Sequence, residues 1–87
     1  MLIVSNNSLN RGTNDVSVVP FTTAVRRNLQ TRILFASGEA GLRQSSWAMC
    51  DQIITISKTA LMFPPLGLAS SLRMEEVEGA LRRVLDL

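Results

Sequence analysis

Short apolar runs separated by polar punctuation make up the body of the chain, and one helical stripe closes it. Leu2 to Ser5 opens as a β-branched apolar run and reads as a strand. Asn6-Asn7-Ser8 ends it, because these side chains bond their own backbone and favour turns. Asn10 to Asp15, with Gly12 inside, continues as a polar loop. Val16 to Thr22 (VSVVPFT) is strand-like, and Pro20 near its end predicts an edge position or a bulge. Arg26-Arg27-Asn28 marks an exposed turn, Thr31 to Ala36 (TRILFA) the next strand, and Ser37 to Gly41 the next loop. Ser46 to Ser57 (SWAMCDQIITIS) predicts a broken or bent pair of strands. Strict alternation there sets Trp47, Met49 and Asp51 on one face and Ser46, Cys50 and Gln52 on the other. Leu61 to Leu68 is a connection interrupted by Pro and Gly, with room for one short strand.

The closing helix is the clearest element. Ser70 or Ser71 can cap it, Glu75, Glu76 and Glu78 follow in its first half, and Arg82 and Arg83 stand near its end. Met74, Val77, Leu81, Val84 and Leu85 recur at spacings of three and four and form one apolar stripe. Glu78 and Arg82 are spaced to pair across one turn. Strands first and one terminal helix predict an α+β domain, a helix packed across a small, curled sheet.

Composition narrows the class. With 87 residues the chain is one domain, residues 1–87, and 46% apolar against 18% charged residues excludes a disordered chain. So much apolar surface on so small a domain favours self-association. The opening is no secretory signal, since it lacks a basic start and its apolar run stops after Val4. No stretch reaches the ~20 apolar residues of a membrane helix. One cysteine and no histidine offer neither an internal disulfide nor a zinc site. The expectation is a cytoplasmic chain with no metal and no other cofactor. Net charge is +2, but residues 1–58 carry six basic against three acidic side chains, and residues 59–87 three against four. A modestly basic body permits nucleic-acid binding without requiring it.

Without histidine, acid–base work at neutral pH falls to carboxylates, Arg, hydroxyls or the substrate's own groups. No P-loop, GxSxG or dinucleotide fingerprint occurs. Two constellations remain. Thr22-Thr23 followed by Arg26-Arg27 sets hydroxyls at a strand end near two guanidinium forks, a combination able to hold a phosphate. The same residues read equally as a capped strand end with two solvated arginines, the plainer account on spacing alone. Cys50-Asp51-Gln52, flanked by Ser46 and Trp47, places polar groups in an apolar segment, where they line a groove or form an ordinary solvent face. Cys50 reads as a small buried hydrophobe, since no histidine is there to activate it.

The succession LIVSNNSLNR, VSVVPFTTAVRRNLQTRILF, GLRQSSWAMCDQIITISK and LGLASSLRMEEVEGALRRVLDL resembles the MazF/PemK family of toxin–antitoxin endoribonucleases over essentially the whole chain. The most specific pieces are VVPFTT, QSSWAMCDQI and the closing LRRVLDL. The resemblance implies a small SH3-like β-barrel with attached helices, forming a homodimer. It implies cleavage of single-stranded RNA (mRNA) at short sequences, without metal, leaving a 2′,3′-cyclic phosphate and a 5′-hydroxyl. A cognate antitoxin wraps such a dimer and blocks its RNA groove. The family's catalytic threonine falls on Thr22. Ser46, Asp51 and Gln52 match groove-lining, RNA-contacting positions, and Thr23 and Arg26 beside Thr22 complete the expected contact set. A 2′-hydroxyl attacking its own phosphate needs orientation, charge stabilisation and proton transfer, all within reach of such groups. Trp47 is able to stack on a base, though packing is the plainer role at its position.

Departures from the family pattern are specific. Asp51 stands where a glutamate is common, and Ile54 replaces the arginine of a QIRT motif, here Gln52-Ile53-Ile54-Thr55. Family chains also carry a first strand, an RNA-gating loop and an Arg-Pro pair ahead of the strand matching Leu2 to Val4. That arginine is the threonine's partner, so the expectation is a domain lacking the family's first strand and gating loop. A shortened, inactive homologue, or a non-catalytic module binding nucleic acid or protein, is the alternative; the related gyrase-poisoning toxins share the fold and act on a protein.

Overall fold

The computed structural model describes residues 1–24, 30–61 and 65–87. Among these described residues, six strands and two helices follow in chain order: β1 (Leu2–Ile3), α1 (Asn7–Gly12), β2 (Asp15–Val19), β3 (Phe21–Thr22), β4 (Arg32–Phe35), β5 (Ser46–Met49), β6 (Ile54–Ser57) and α2 (Ser71–Leu85). They form two antiparallel three-stranded sheets, ordered β1-β2-β6 and β3-β5-β4. The architecture is α+β, with the sheets curled around one core and the helix against them. The expected turn at Arg26-Arg27-Asn28 lies outside the described residues, and so does part of the Leu61 to Leu68 connection; its described part holds no strand.

Two bends carry the chain between the sheets. Pro20 has no N–H to extend a ladder, so VSVVPFT divides there into β2 and β3. The proline's carbonyl still accepts from Met49 N at 2.9 Å, which fixes β3 beside β5. An edge position holds for β3 alone, because β2 sits between β1 and β6. The second bend is the expected break in Ser46 to Ser57, a 3-10 turn at Cys50–Gln52 between β5 and β6.

The core unites both sheets with the helix. Val19, Phe35, Ala48, Cys50, Val77 and Ala80 form its buried centre. Phe21 meets Phe35 edge to face, with ring centroids 5.1 Å apart. The helix packs on β4 and the Cys50–Gln52 turn. Its inward stripe is narrower than periodicity predicts: Val77 and Ala80 are buried, Met74, Leu81 and Val84 half-buried, and Leu85 is exposed. Ser70 is the cap, its hydroxyl accepting from Arg73 N at 3.2 Å. Among the described residues, the helix's own ion pair joins Arg73 to Glu76 and not Glu78 to Arg82.

Residues 7–12, expected as loop, form the short helix α1. Asn6 caps it by accepting from Leu9 N at 2.9 Å. Asn10 ties it back, donating to the Ser5 carbonyl at 3.0 Å and meeting the Ser5 hydroxyl, which in turn accepts from Ser17 N. The helix buries no residue, so no apolar period announces it. Arg73 donates twice to the Glu39 carboxylate, at 2.7 and 2.9 Å, clasping the Glu39–Gly41 turn to α2.

Candidate functional site

The sheet β3-β5-β4 presents a solvent-side face built from directly opposed residues, which share a face in an antiparallel pair. Thr22 lies opposite Trp47, and Trp47 opposite Leu34; one step along, Arg32 lies opposite Met49. Thr22, Trp47 and Met49 are half-buried and Leu34 is exposed, whereas Ser46, Ala48 and Cys50 point inward and are buried. Alternation along β5 therefore holds as the sequence predicts. It stops at Cys50. A 3-10 turn advances about a third of a circle per residue, not a half. Gln52, expected with Ser46 and Cys50 on one face, is consequently exposed while both of them are buried.

Thr22 ends β3 in a hydroxyl turn, its Oγ1 accepting from Ala24 N at 3.2 Å. That bond uses one lone pair and leaves the O–H to donate, and the hydroxyl hydrogen has no acceptor among the described residues. Thr23 beside it is exposed, and Arg26 lies outside the described residues. Ser46 is 4% exposed and donates to the Gln44 carbonyl at 2.9 Å, so its hydroxyl works under the sheet.

The turn that carries Asp51 is anchored from two sides. Cys50 N donates to the Thr31 carbonyl at 3.0 Å, and the Cys50 side chain is fully buried. Asp51 Oδ2 then faces Arg32 Nη2 at 3.6 Å. Burial, and after it the neighbouring Asp51 charge, push the Cys50 thiol up to about 11, so it stays protonated at neutral pH and is a poor nucleophile. Arg32 is the residue that sequence reading did not single out. The available signal was a cation opening the otherwise apolar run Ile33-Leu34-Phe35, but only the register sets it beside the Cys50–Gln52 turn.

Among the described residues no cluster of His, Cys, Asp and Glu could hold a metal ion, and no helix is long and apolar enough to cross a membrane.

Residues 1–85 match the family model described as PemK-like, MazF-like toxin of type II toxin-antitoxin system. The chain belongs to this family. A search of curated proteins gave no match. Among solved structures, the PemK/MazF-like chain is similar to the Mycobacterium tuberculosis toxin MazF-mt6, with 27% identity and a TM-score of 0.87 over 99% of this chain and 84% of that one. It is also similar to an endoribonuclease in complex with its cognate antitoxin from a mycobacterial species, with 34% identity and a TM-score of 0.86 over 99% and 79% of the two chains. A third match, an Mtb toxin, has 26% identity and a TM-score of 0.85 over 95% and 88%. The small MazF-like α+β architecture expected from the residues is the one found.

Proposed function

We propose that this PemK/MazF-like toxin is a sequence-specific endoribonuclease that cleaves single-stranded mRNA without metal, with Thr22 as its catalytic residue. Supporting this is Thr22 on the open face of β3-β5-β4, in a chain similar to a mycobacterial endoribonuclease. In the reaction the 2′-hydroxyl gives up its proton as its oxygen bonds to the adjacent phosphorus and the P–O5′ bond breaks, and the departing 5′-oxygen takes up a proton, so that none is gained or lost overall. The Thr22 hydroxyl, whose hydrogen the Ala24 bond leaves free to donate, donates to a non-bridging phosphate oxygen and steadies charge as it builds. Thr23, Arg26, Asp51 and Gln52 contact the RNA, and Ser46 supports the groove from beneath.

The proposed assembly is a cytoplasmic homodimer whose groove a cognate antitoxin closes. Favouring a protein partner are Leu66 and Leu68, exposed by 77 and 92%, in an apolar groove also lined by Leu2, Phe21, Leu61 and Met74.

The deciding experiment incubates the purified 87-residue chain with total RNA in EDTA and maps the new 5′ ends. Cuts at a defined sequence, abolished by Thr22→Ala, are the expected result. Cuts that persist in Thr22→Ala remove Thr22 from the mechanism. No cuts, with oligonucleotide or antitoxin binding retained, would assign the chain to the non-catalytic class instead.

A further inference from the structure

The Arg32–Asp51 pair has no part in the bond-making just described. The Arg32 side chain is only 10% exposed, and its Nε is buried without a hydrogen-bond partner among the described residues. Its one ion pair among those residues, to Asp51 Oδ2, spans 3.6 Å, well beyond the ~2.7–2.9 Å of a charge-assisted hydrogen bond. A guanidinium withdrawn from water and held so loosely carries a desolvation cost that its contacts do not repay. Packing alone would favour an unbranched apolar side chain here. Asp51, by contrast, keeps 34% of its side chain exposed, and its Oδ1 has no partner among the described residues.

A carboxylate only accepts hydrogen bonds. Facing an unstacked base it favours edges that donate, above all the exocyclic amino groups of adenine, cytosine and guanine. Its direction then decides which edge it reads. We propose that Arg32 is a positioning residue that aims the Asp51 carboxylate, and so sets a preference for an amino-bearing base at one position of the bound RNA. This rests on the reading that the chain binds single-stranded RNA. Arg32 itself, with only 10% of its side chain exposed, does not touch the nucleic acid.

The test measures equilibrium binding of 2′-O-methyl oligoribonucleotides, which cannot be cleaved because the attacking hydroxyl is blocked. The panel substitutes each position in turn, pairing cytidine with uridine and guanosine with inosine. The wild-type chain should prefer an amino-bearing base at one position by about tenfold. Arg32→Met should melt no lower than wild type yet reduce that preference to within about twofold. Asp51→Asn should do the same, and the double variant no more, since the two act in series. Arg32→Lys, which keeps the charge but not the fork, should restore part of the preference and carries the test if Arg32→Met does not fold.

An unchanged preference in Arg32→Met, or a wild-type chain that binds without preference, overturns the inference and leaves RNA binding standing. Uniform weakening across the panel, with a shallower salt dependence, also overturns it by making Arg32 a direct phosphate contact. Failure of the wild-type chain to bind any oligonucleotide overturns the RNA-binding reading and this inference together.

Discussion

Gly41 sits where two loop backbones touch. A Cβ there would lie 2.1 Å from the Leu66 carbonyl oxygen, and the residue's φ of +74° is a conformation that L side chains rarely adopt. Neither obstacle is the far end of a flexible side chain, so neither yields cheaply. Gly41→Ala should therefore destabilise the fold by ~2 kcal/mol or more, read as a lowered urea midpoint at unchanged slope. Thr22 is the opposite case: half-buried at a strand end, with a hydroxyl whose hydrogen is unclaimed among the described residues. Thr22→Ala should leave the melting temperature within about 2 °C of wild type while removing cleavage, since it deletes a donor and not a packed group. The strand end at Thr22 was legible in VVPFTT; the close approach at Gly41 was not, because its partner, Leu66, belongs to a distant loop.

The elements divide by how local their causes are. Helix α2 was readable down to a choice of two caps, Ser70 or Ser71, since a cap and the N–H it accepts from, here Arg73 N, lie within one turn of each other. Ser70→Ala should cost about 1 kcal/mol of stability, checked by chemical denaturation, with no change in any RNA-dependent readout. The break in Ser46 to Ser57 was equally readable, because polar Asp51-Gln52 interrupts an apolar alternation. Helix α1 was not. Its stability comes from Asn6, Asn10 and Ser5 hydrogen bonds and from no buried face, and its polar residues suit a turn as well as a helix. Pro20 announced an interruption but not its consequence, which is that one run of residues serves two sheets.

At the scale of the whole molecule, the Glu39–Arg73 clasp gives stability a pH dependence. Arg73's hydrogen bonds hold the Glu39 carboxyl below its ordinary 4.5. A carboxyl lowered by folding stabilises the native state above that value and loses its contribution as the pH falls through the native one. Glu39→Gln should therefore melt below wild type at neutral pH, and the gap should close on acidification below about pH 4.5. A gap that stays constant with pH would show the clasp to be only packing. The exposed leucines lead to a separate expectation: sedimentation equilibrium at micromolar concentration should find a dimer, and Leu68→Asp should weaken it. Sequence by itself determined the succession of strands closed by helix α2, its cap as one of two serines, the two faces of β5 and, through VVPFTT, QSSWAMCDQI and LRRVLDL, the family. Apart from the family, which rests on resemblance, these follow from neighbours within a turn or a pleat, where period and capping act. Only the tertiary structure decided that Arg32 meets Asp51, that Gly41 lies under Leu66 and that Gln52 turns outward. Those outcomes depend on strand register and on how a 3-10 turn redirects the chain, and both are set by packing between segments that local pattern does not connect.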